Sequence, residues 1–267
     1  MRQTAASTIA SRMLTATFLV CVGILANAYV NAQGLDVVFV PTPRETVDRM
    51  LQVTEVGSSD FVIDLGSGDG RIAVAAGRLG ARALGVDLDP ARIKDAQLNA
   101  QRAGVADRVT FRQQNLFETD LSPATVLTMY LLPSINVKLR PKILTLRPGT
   151  RVVSHDFTMG DWKPDLSETN NWRIFFWVVP ARVAGKWQVR AGSRAFDLMI
   201  NQTYQEFQGM ASADGRTVPL RNTKLRAASI EFTVDLDGQA ATLRGIVNGD
   251  RMQGRSNAGA EWSATRS

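Results

Sequence analysis

The chain has 267 residues, 45% of them hydrophobic and 21% charged, so it can bury a substantial core, and wholesale disorder is excluded. Lys and Arg number 31 against 25 acids, and two of the surplus charges, Arg2 and Arg12, sit in an acid-free N-terminal stretch; the excess left over is too small to mark a nucleic-acid binder. One cysteine, Cys21, and one histidine, His155, argue against structural zinc, a Cys nucleophile and a His-ligated metal centre, so no metal site is expected.

Residues 1–13 carry Arg2 and Arg12 and no acid, and Leu14 to Ala28 is an apolar run ending in small residues, the pattern of a secretory signal. Val30-Asn31-Ala32 gives a small-residue cleavage pattern before Gln33, with Ala26-Asn27-Ala28 as a second; the expected signal peptide is 1–32. Cys21 follows Val20 rather than a small residue, which argues against a lipoprotein site. The alternative is an uncleaved membrane anchor, although the run falls short of the ~20 residues that span a bilayer. In both cases the positive flank stays inside and the body is exported. The expected location is therefore periplasmic or secreted, or else membrane-anchored, and a body without thiols is compatible with an oxidising compartment.

Thr42-Pro43-Arg44-Glu45 reads as a helix start, with Thr42 as cap and Pro43 at the first helical position, and Val47, Met50 and Leu51 continue at helical spacing to Val53. Phe61 to Leu65 is a short apolar run between turn residues, a buried strand. Arg71 to Leu79 is an Ala-rich helix, Ala83 to Val86 a strand closing on Asp87, and Asp89-Pro90 opens a helix to about Ala103, with Gly104 just past its end. Val109 to Phe111, Thr125 to Leu132 and Thr150 to Ser154 supply further strands, and Trp172 to Pro180 is expected to complete the same sheet. Alternating strands and helices predict an α/β, doubly wound, mostly parallel Rossmann-like sheet, with ligands outside the carboxyl ends of its strands.

The chemistry gathers at those ends. The loop Asp64-Leu65-Gly66-Ser67-Gly68-Asp69-Gly70 follows the first strand and opens a helix, so its glycines permit a sharp turn and close approach of a ligand to bare backbone. Arg71 stands where the dinucleotide fingerprint needs its third glycine, and no Gly-Lys-Ser/Thr follows for a Walker loop. Asp64 would repel a pyrophosphate and attract an ammonium, which favours a ligand with a cationic amino-acid moiety. Asp87, 21 residues after Gly66 at the end of the second strand, is placed to accept two ribose hydroxyls; its neighbour Asp89 precedes Pro90 and reads as a helix cap. Asn115, after the third strand, could meet an adenine edge with Leu116 on the ring, or could be a simple turn asparagine.

The run VIDLGSGDGRIAVAA with GVDLDP, and then QQNLFETD, resembles the class I S-adenosyl-L-methionine-dependent methyltransferases. PTPRETVDRM, ATVLTMYLLPSINVKLRPKIL and RPGTRVVSHDFTMGDWKPD further resemble a bacterial group similar to the seven-strand protein-lysine methyltransferases, over about Val37 to Pro180. The resemblance implies that Asp64 orients the methionine amino group, that Gly66, Gly68 and Gly70 make room for the cofactor, that Asp87 holds the ribose and Asn115 the adenine. The superfamily often has Asp at the position of Asn115, so one charge is missing there. Tyr130-Leu131-Leu132-Pro133 replaces the Asn/Asp-Pro-Pro grip that many relatives use on planar nitrogens. That leaves an apolar channel for a lysine stem, with Tyr130 and Pro133 as the expected catalytic positions beside Leu131. His155 and Asp156 end the fifth strand as candidates for a base or a structural role, and Trp162 for a lid or for packing. The implied acceptor is a protein lysine or a small amine; nucleic acid is not expected.

Beyond Pro180 the pattern changes. Phe196, Leu198 and Ile200 alternate with Asp197 and Met199, then Ile230, Phe232 and Val234 with polar residues, at period two, and Asp214-Gly215 and Asp237-Gly238 are hairpin signals. Gly209, Gly245 and Gly254 are read as lying near strand ends. Residues 33–180 are thus the expected methyltransferase domain and 181–267 a small antiparallel β domain of unread function. Because S-adenosylmethionine is made in the cytoplasm, export stands against catalysis; the alternative is an exported ligand-binding module that keeps the fold without the reaction.

Overall fold

The computed structural model describes residues 40–169 and 172–267, and the leader expected at 1–32, with its cleavage or anchoring, lies outside the described residues. Among the described residues no helix is long and apolar enough to cross a membrane. The first helix, α1, runs Arg44–Val53 with Pro43 at its cap position and no side-chain cap. This corrects the expected role of Thr42: the ring of Pro43 is already fixed for the entry, and the Thr42 hydroxyl lies 3.3 Å from His155 Nδ1 instead.

The elements β1 (Phe61–Leu65), α2 (Arg71–Arg78), β2 (Arg82–Asp87), α3 (Pro90–Arg102), β3 (Val109–Gln113), β4 (Val126–Met129), α4 (Pro133–Ile143) and β5 (Arg151–His155) follow in the expected order. Two strands, β6 (Leu166–Glu168) and β7 (Ile174–Val178), then fold back to give a seven-stranded sheet ordered β3-β2-β1-β4-β5-β7-β6. The strands from β1 to β5 are parallel, and β7 returns antiparallel to β5. The strand expected over Thr125 to Leu132 is shorter than its apolar run: its pairing with β1 ends at Met129 opposite Leu65, where β1 gives way to the glycine turn, and Pro133 opens α4 four residues on.

Alternate residues of the central strands enter two cores. Val62, Val126 and Val153 meet Met50, Leu51, Ile72, Ile93 and Ala96 from α1, α2 and α3 on one face. Ile63, Leu65, Leu127, Met129 and Val152 meet Leu139 and Ile143 of α4, together with Met159 and Trp162, on the other. Each such large apolar side chain contributes about 1.5–3 kcal/mol by leaving water. Helices on both faces thus leave the strand ends as the open edge, and β1, flanked by β2 and β4, marks the point where strand order reverses.

The remaining strands are β8 (Gly185–Ala191), β9 (Arg194–Thr203), β10 (Glu206–Ala213), β11 (Arg216–Pro219), β12 (Arg221–Arg226), β13 (Ser229–Val234), β14 (Ala241–Asn248), β15 (Arg251–Ser256) and β16 (Glu261–Arg266). They form a nine-stranded sheet, antiparallel throughout, in the order β11-β10-β9-β8-β16-β15-β14-β13-β12. β10 packs against β12, which makes the sheet a near-barrel around Trp187, Phe232 and Trp262. Asp214-Gly215 is the expected two-residue turn, both residues at positive φ. Gly209, Gly245 and Gly254 lie inside β10, β14 and β15, not near strand ends. Gly245 pairs with Gly254, where a Cβ on Gly245 would stand 2.6 Å from the Trp262 ring, so these positions admit the tryptophan and the close strand approach.

The turn between β9 and β10 joins the two sheets. Gln205 accepts a hydrogen bond from Trp162 Nε1 at 2.8 Å and donates to the Lys163 carbonyl at 2.8 Å. Tyr204 stacks on Trp162 with ring centroids 5.8 Å apart and donates to Asp161 at 3.0 Å.

Candidate active site

After β1 the chain turns through Gly66, Gly68 and Gly70, all at positive φ, into α2. The Gly66 and Ser67 N–H groups both donate to the Val86 carbonyl at 2.9 Å, which ties the loop to β2. A Cβ on Gly66 would lie 2.8 Å from Leu131 Cδ2, and one on Gly70 2.5 Å from Phe111 Cζ. The narrow approach between the loop and the segment after β4 therefore exists only with glycine.

Asp64 sits beneath this turn, 1% exposed. Thr128, opposite it in the β1–β4 register, donates to Oδ1 at 2.6 Å, while Oδ2 is buried with no hydrogen-bond partner. Burial pushes the carboxyl up to about 7, opposed by the Thr128 hydrogen bond and reinforced by the charges of Asp87 and Asp69. A buried carboxylate oxygen without a hydrogen-bond partner is unusual in a folded chain and calls for an explanation.

Asp87 ends β2 half-buried, with Oδ2 accepting from Gly68 N–H at 2.8 Å and Oδ1 from Asp89 N–H at 3.0 Å. Its carboxylate is fixed against the glycine loop, and each oxygen keeps acceptor capacity. Asp89 caps α3 by accepting from Ala91 N–H at 2.8 Å, as its place before Pro90 predicts. The Gln114 N–H bonds the Asp87 carbonyl at 2.9 Å and brings the start of the next loop alongside. There Asn115 is a turn asparagine: Oδ1 accepts from Phe117 N–H at 3.0 Å and Nδ2 donates to Glu118 at 3.3 Å. The turn uses one acceptor site of Oδ1 and one N–H of Nδ2, so the amide keeps capacity for a further partner.

A second group of side chains stands at the ends of β4 and β5. The Tyr130 ring lies 4.1 Å from that of His155 and stacks on Phe157 at 6.1 Å, and its hydroxyl donates to Asp156 Oδ2 at 3.1 Å. Burial and that hydrogen bond raise the Tyr130 hydroxyl above its ordinary value, while burial lowers His155. Arg173 Nε meets Asp156 Oδ1 at 2.9 Å. Arg71, chelating Asp69, donates to the Thr42 carbonyl at 2.7 Å, so the segment before α1 links the glycine loop to His155.

Some expected positions behave differently. Pro133 is exposed at the start of α4, where a missing N–H has no cost, and Leu131 faces Gly66. Trp162 is fully buried and hydrogen-bonded, a packing residue and not a lid. Thr128 and Arg173 were not picked out by the pattern of the sequence. A lone polar residue inside the fourth strand's apolar run was the available signal for Thr128, and nothing local marked Arg173. Two depressions, of about 370 and 720 Å³, lie elsewhere, one lined by Arg49, Asp165 and Arg226 and one on the outer face of the second sheet. Neither includes Asp64, Asp87 or Tyr130.

The model of the ANTKMT methyltransferase domain matches residues 64–166, a span that begins at Asp64 and ends before the second sheet. A protein-lysine N-methyltransferase of Saccharolobus islandicus is 45% identical over 129 residues, 47% of this chain and 80% of that protein. The mouse adenine nucleotide translocase lysine N-methyltransferase is 35% identical over 132 residues, which span 49% of this chain and 57% of the mouse protein. A crystal structure described as an RNA methyltransferase from Salinibacter ruber, in complex with S-adenosyl-L-homocysteine, is 52% identical. It covers 54% of this chain and 96% of its own, with a TM-score of 0.53.

Proposed function

We propose that the chain, which belongs to the ANTKMT-type family of class I S-adenosyl-L-methionine-dependent methyltransferases, transfers a methyl group to the amine of a protein lysine. Its methyl donor is S-adenosyl-L-methionine. The observation that carries the reading is the buried, unpartnered Asp64 Oδ2 beneath a glycine turn that admits no side chain. That pairing fits the ammonium of a methionine moiety lying against bare backbone. Asp87, locked by two backbone N–H groups, would hold the ribose hydroxyls, and Asn115, held in place by its own turn, would meet the base with Leu116 of the same loop.

When bound, the donor supplies a methyl already activated on a sulfonium, so the chain needs little acid or base strength. Its own work is alignment and exclusion of water. Tyr130, His155 and Phe157 form an aromatic wall at the ends of β4 and β5, which would sheath an aliphatic stem. The proton shed by the incoming ammonium goes to solvent.

The lysine acceptor is supported by the names of the archaeal and mouse relatives. The Salinibacter name makes RNA the competing outcome. Incubating the purified chain with tritiated donor and with separate protein and RNA fractions of its host decides between them. The proposal expects label in protein, recovered as methyl-lysine after hydrolysis; label confined to RNA would overturn it. The leader's basic flank and apolar run support a location across or at the membrane, exported or anchored. A reporter fused after Ala32 tests this: activity on the cytoplasmic side would contradict export.

A further inference from the structure

Asp156 and Arg173 face each other at the open end of β5 and β7, and both hold a left-handed backbone without being glycine, at φ +68 and +48. The Asp156 N–H donates to the Arg173 carbonyl at 2.6 Å, so the two unusual conformations are locked as a pair. Non-glycine residues in this region carry a backbone cost, and such outliers concentrate where a side chain must be aimed for function. Here the backbone aims the Asp156 carboxylate at the Tyr130 hydroxyl, inside the aromatic wall. Its other oxygen holds the Arg173 guanidinium, whose side chain is 62% exposed against 20% for Asp156.

We propose that the Asp156 carboxylate is the docking group for the cationic end of the methyl acceptor, and that Arg173 occupies it until the acceptor arrives. An ion pair with one partner in water contributes little, so an incoming ammonium displaces the guanidinium at small cost. Once there, the ammonium meets the oxygen that Arg173 held, while Tyr130 keeps the other in place. The aromatic rings then lie along the aliphatic stem, and a neutral or anionic acceptor lacks the charge to compete with Arg173. This rests on the amine-acceptor reading above and adds the residue that selects for positive charge.

The test uses the full chain saturated with S-adenosyl-L-homocysteine and a short lysine oligomer as probe, with its ε-acetylated form as the neutral counterpart. Affinities are measured by calorimetry. Asp156→Asn keeps a residue type that tolerates the left-handed backbone, and is expected to weaken oligolysine binding about tenfold, the loss of a charge-assisted hydrogen bond. Arg173→Ala is expected to tighten it about threefold by removing the competitor. The acetylated oligomer should bind weakly to all forms, and Asp107→Asn, paired with Arg108 far from this edge, should change nothing. A purely structural ion pair would make both substitutions act in the same direction, and that result, or unchanged affinity in both, overturns the proposal. Should Asp156→Asn fail to fold, the sign of the Arg173→Ala effect alone decides. Methylation of the oligomer is read separately. Binding with opposite shifts but no transfer removes the lysine reaction and keeps the docking site; transfer indifferent to Asp156 does the reverse.

Discussion

At Asp64, burial together with the charges of Asp87 and Asp69 lifts the carboxyl to about 7, while Thr128 restrains the shift. The folded-state value exceeds the ~3.9 of a free aspartate, so between those two pH values the folded chain binds a proton that the unfolded chain does not. Stability from this group is therefore fully present at low pH and is lost as pH rises through about 7. Binding of an ammonium runs the other way, because it needs the carboxylate. The affinity for S-adenosyl-L-homocysteine should fall about tenfold per pH unit below about 7 and level off above it. Calorimetry across pH 5 to 9 checks this, with Asp64→Asn expected to flatten the profile; a dependence unchanged in the variant would assign the titration elsewhere. Asp64 and Asp87 were legible because strand ends next to a glycine turn advertise them, and Asp89 was separable from Asp87 by the proline after it. Thr128 and Arg173 reach the site through cross-strand register, β1 with β4 and β5 with β7, which no local pattern encodes. Asn115 showed both roles in sequence, and the structure displays the turn role.

Among the elements, the parallel core followed the apolar runs closely because each run is bounded by turn residues or by a capped helix. The exceptions have local causes. The fourth strand stops at Met129, opposite the last residue of β1, and β6 is three residues long, too short to show a period. The β9–β10 turn was invisible as a docking element, since only its three-dimensional neighbour, the segment after β5, gives it meaning. Gln205 there satisfies the buried Trp162 indole. Gln205→Ala leaves that N–H without a partner and should cost about 1–3 kcal/mol in denaturant unfolding. If the segment it braces also sets the geometry at Asp156, transfer should slow in this variant while affinity for S-adenosyl-L-homocysteine stays unchanged. Equal stability of variant and parent would show that the contact does not brace the segment.

For the whole molecule, the doubly wound sheet and the antiparallel near-barrel are two solutions to burying apolar faces, and both were readable from periodicity. Their connection was not, because it pairs Asp161 and Trp162 with Tyr204 and Gln205, which belong to no motif and lie about forty residues on. The family match ends at residue 166, so the second sheet lies outside the matched region and touches it through the segment of Asp161 to Lys163. Everything assigned to that edge depends on the donor lying between the glycine turn and the end of β2. The direct test is calorimetric titration of S-adenosyl-L-homocysteine into the parent chain and Asp87→Ala, with circular dichroism to confirm that both are folded. The parent should bind one equivalent, and the variant at least about a hundredfold more weakly, since two charge-assisted hydrogen bonds are lost. Equal affinity in the folded variant, or no binding by the parent, would contradict the placement.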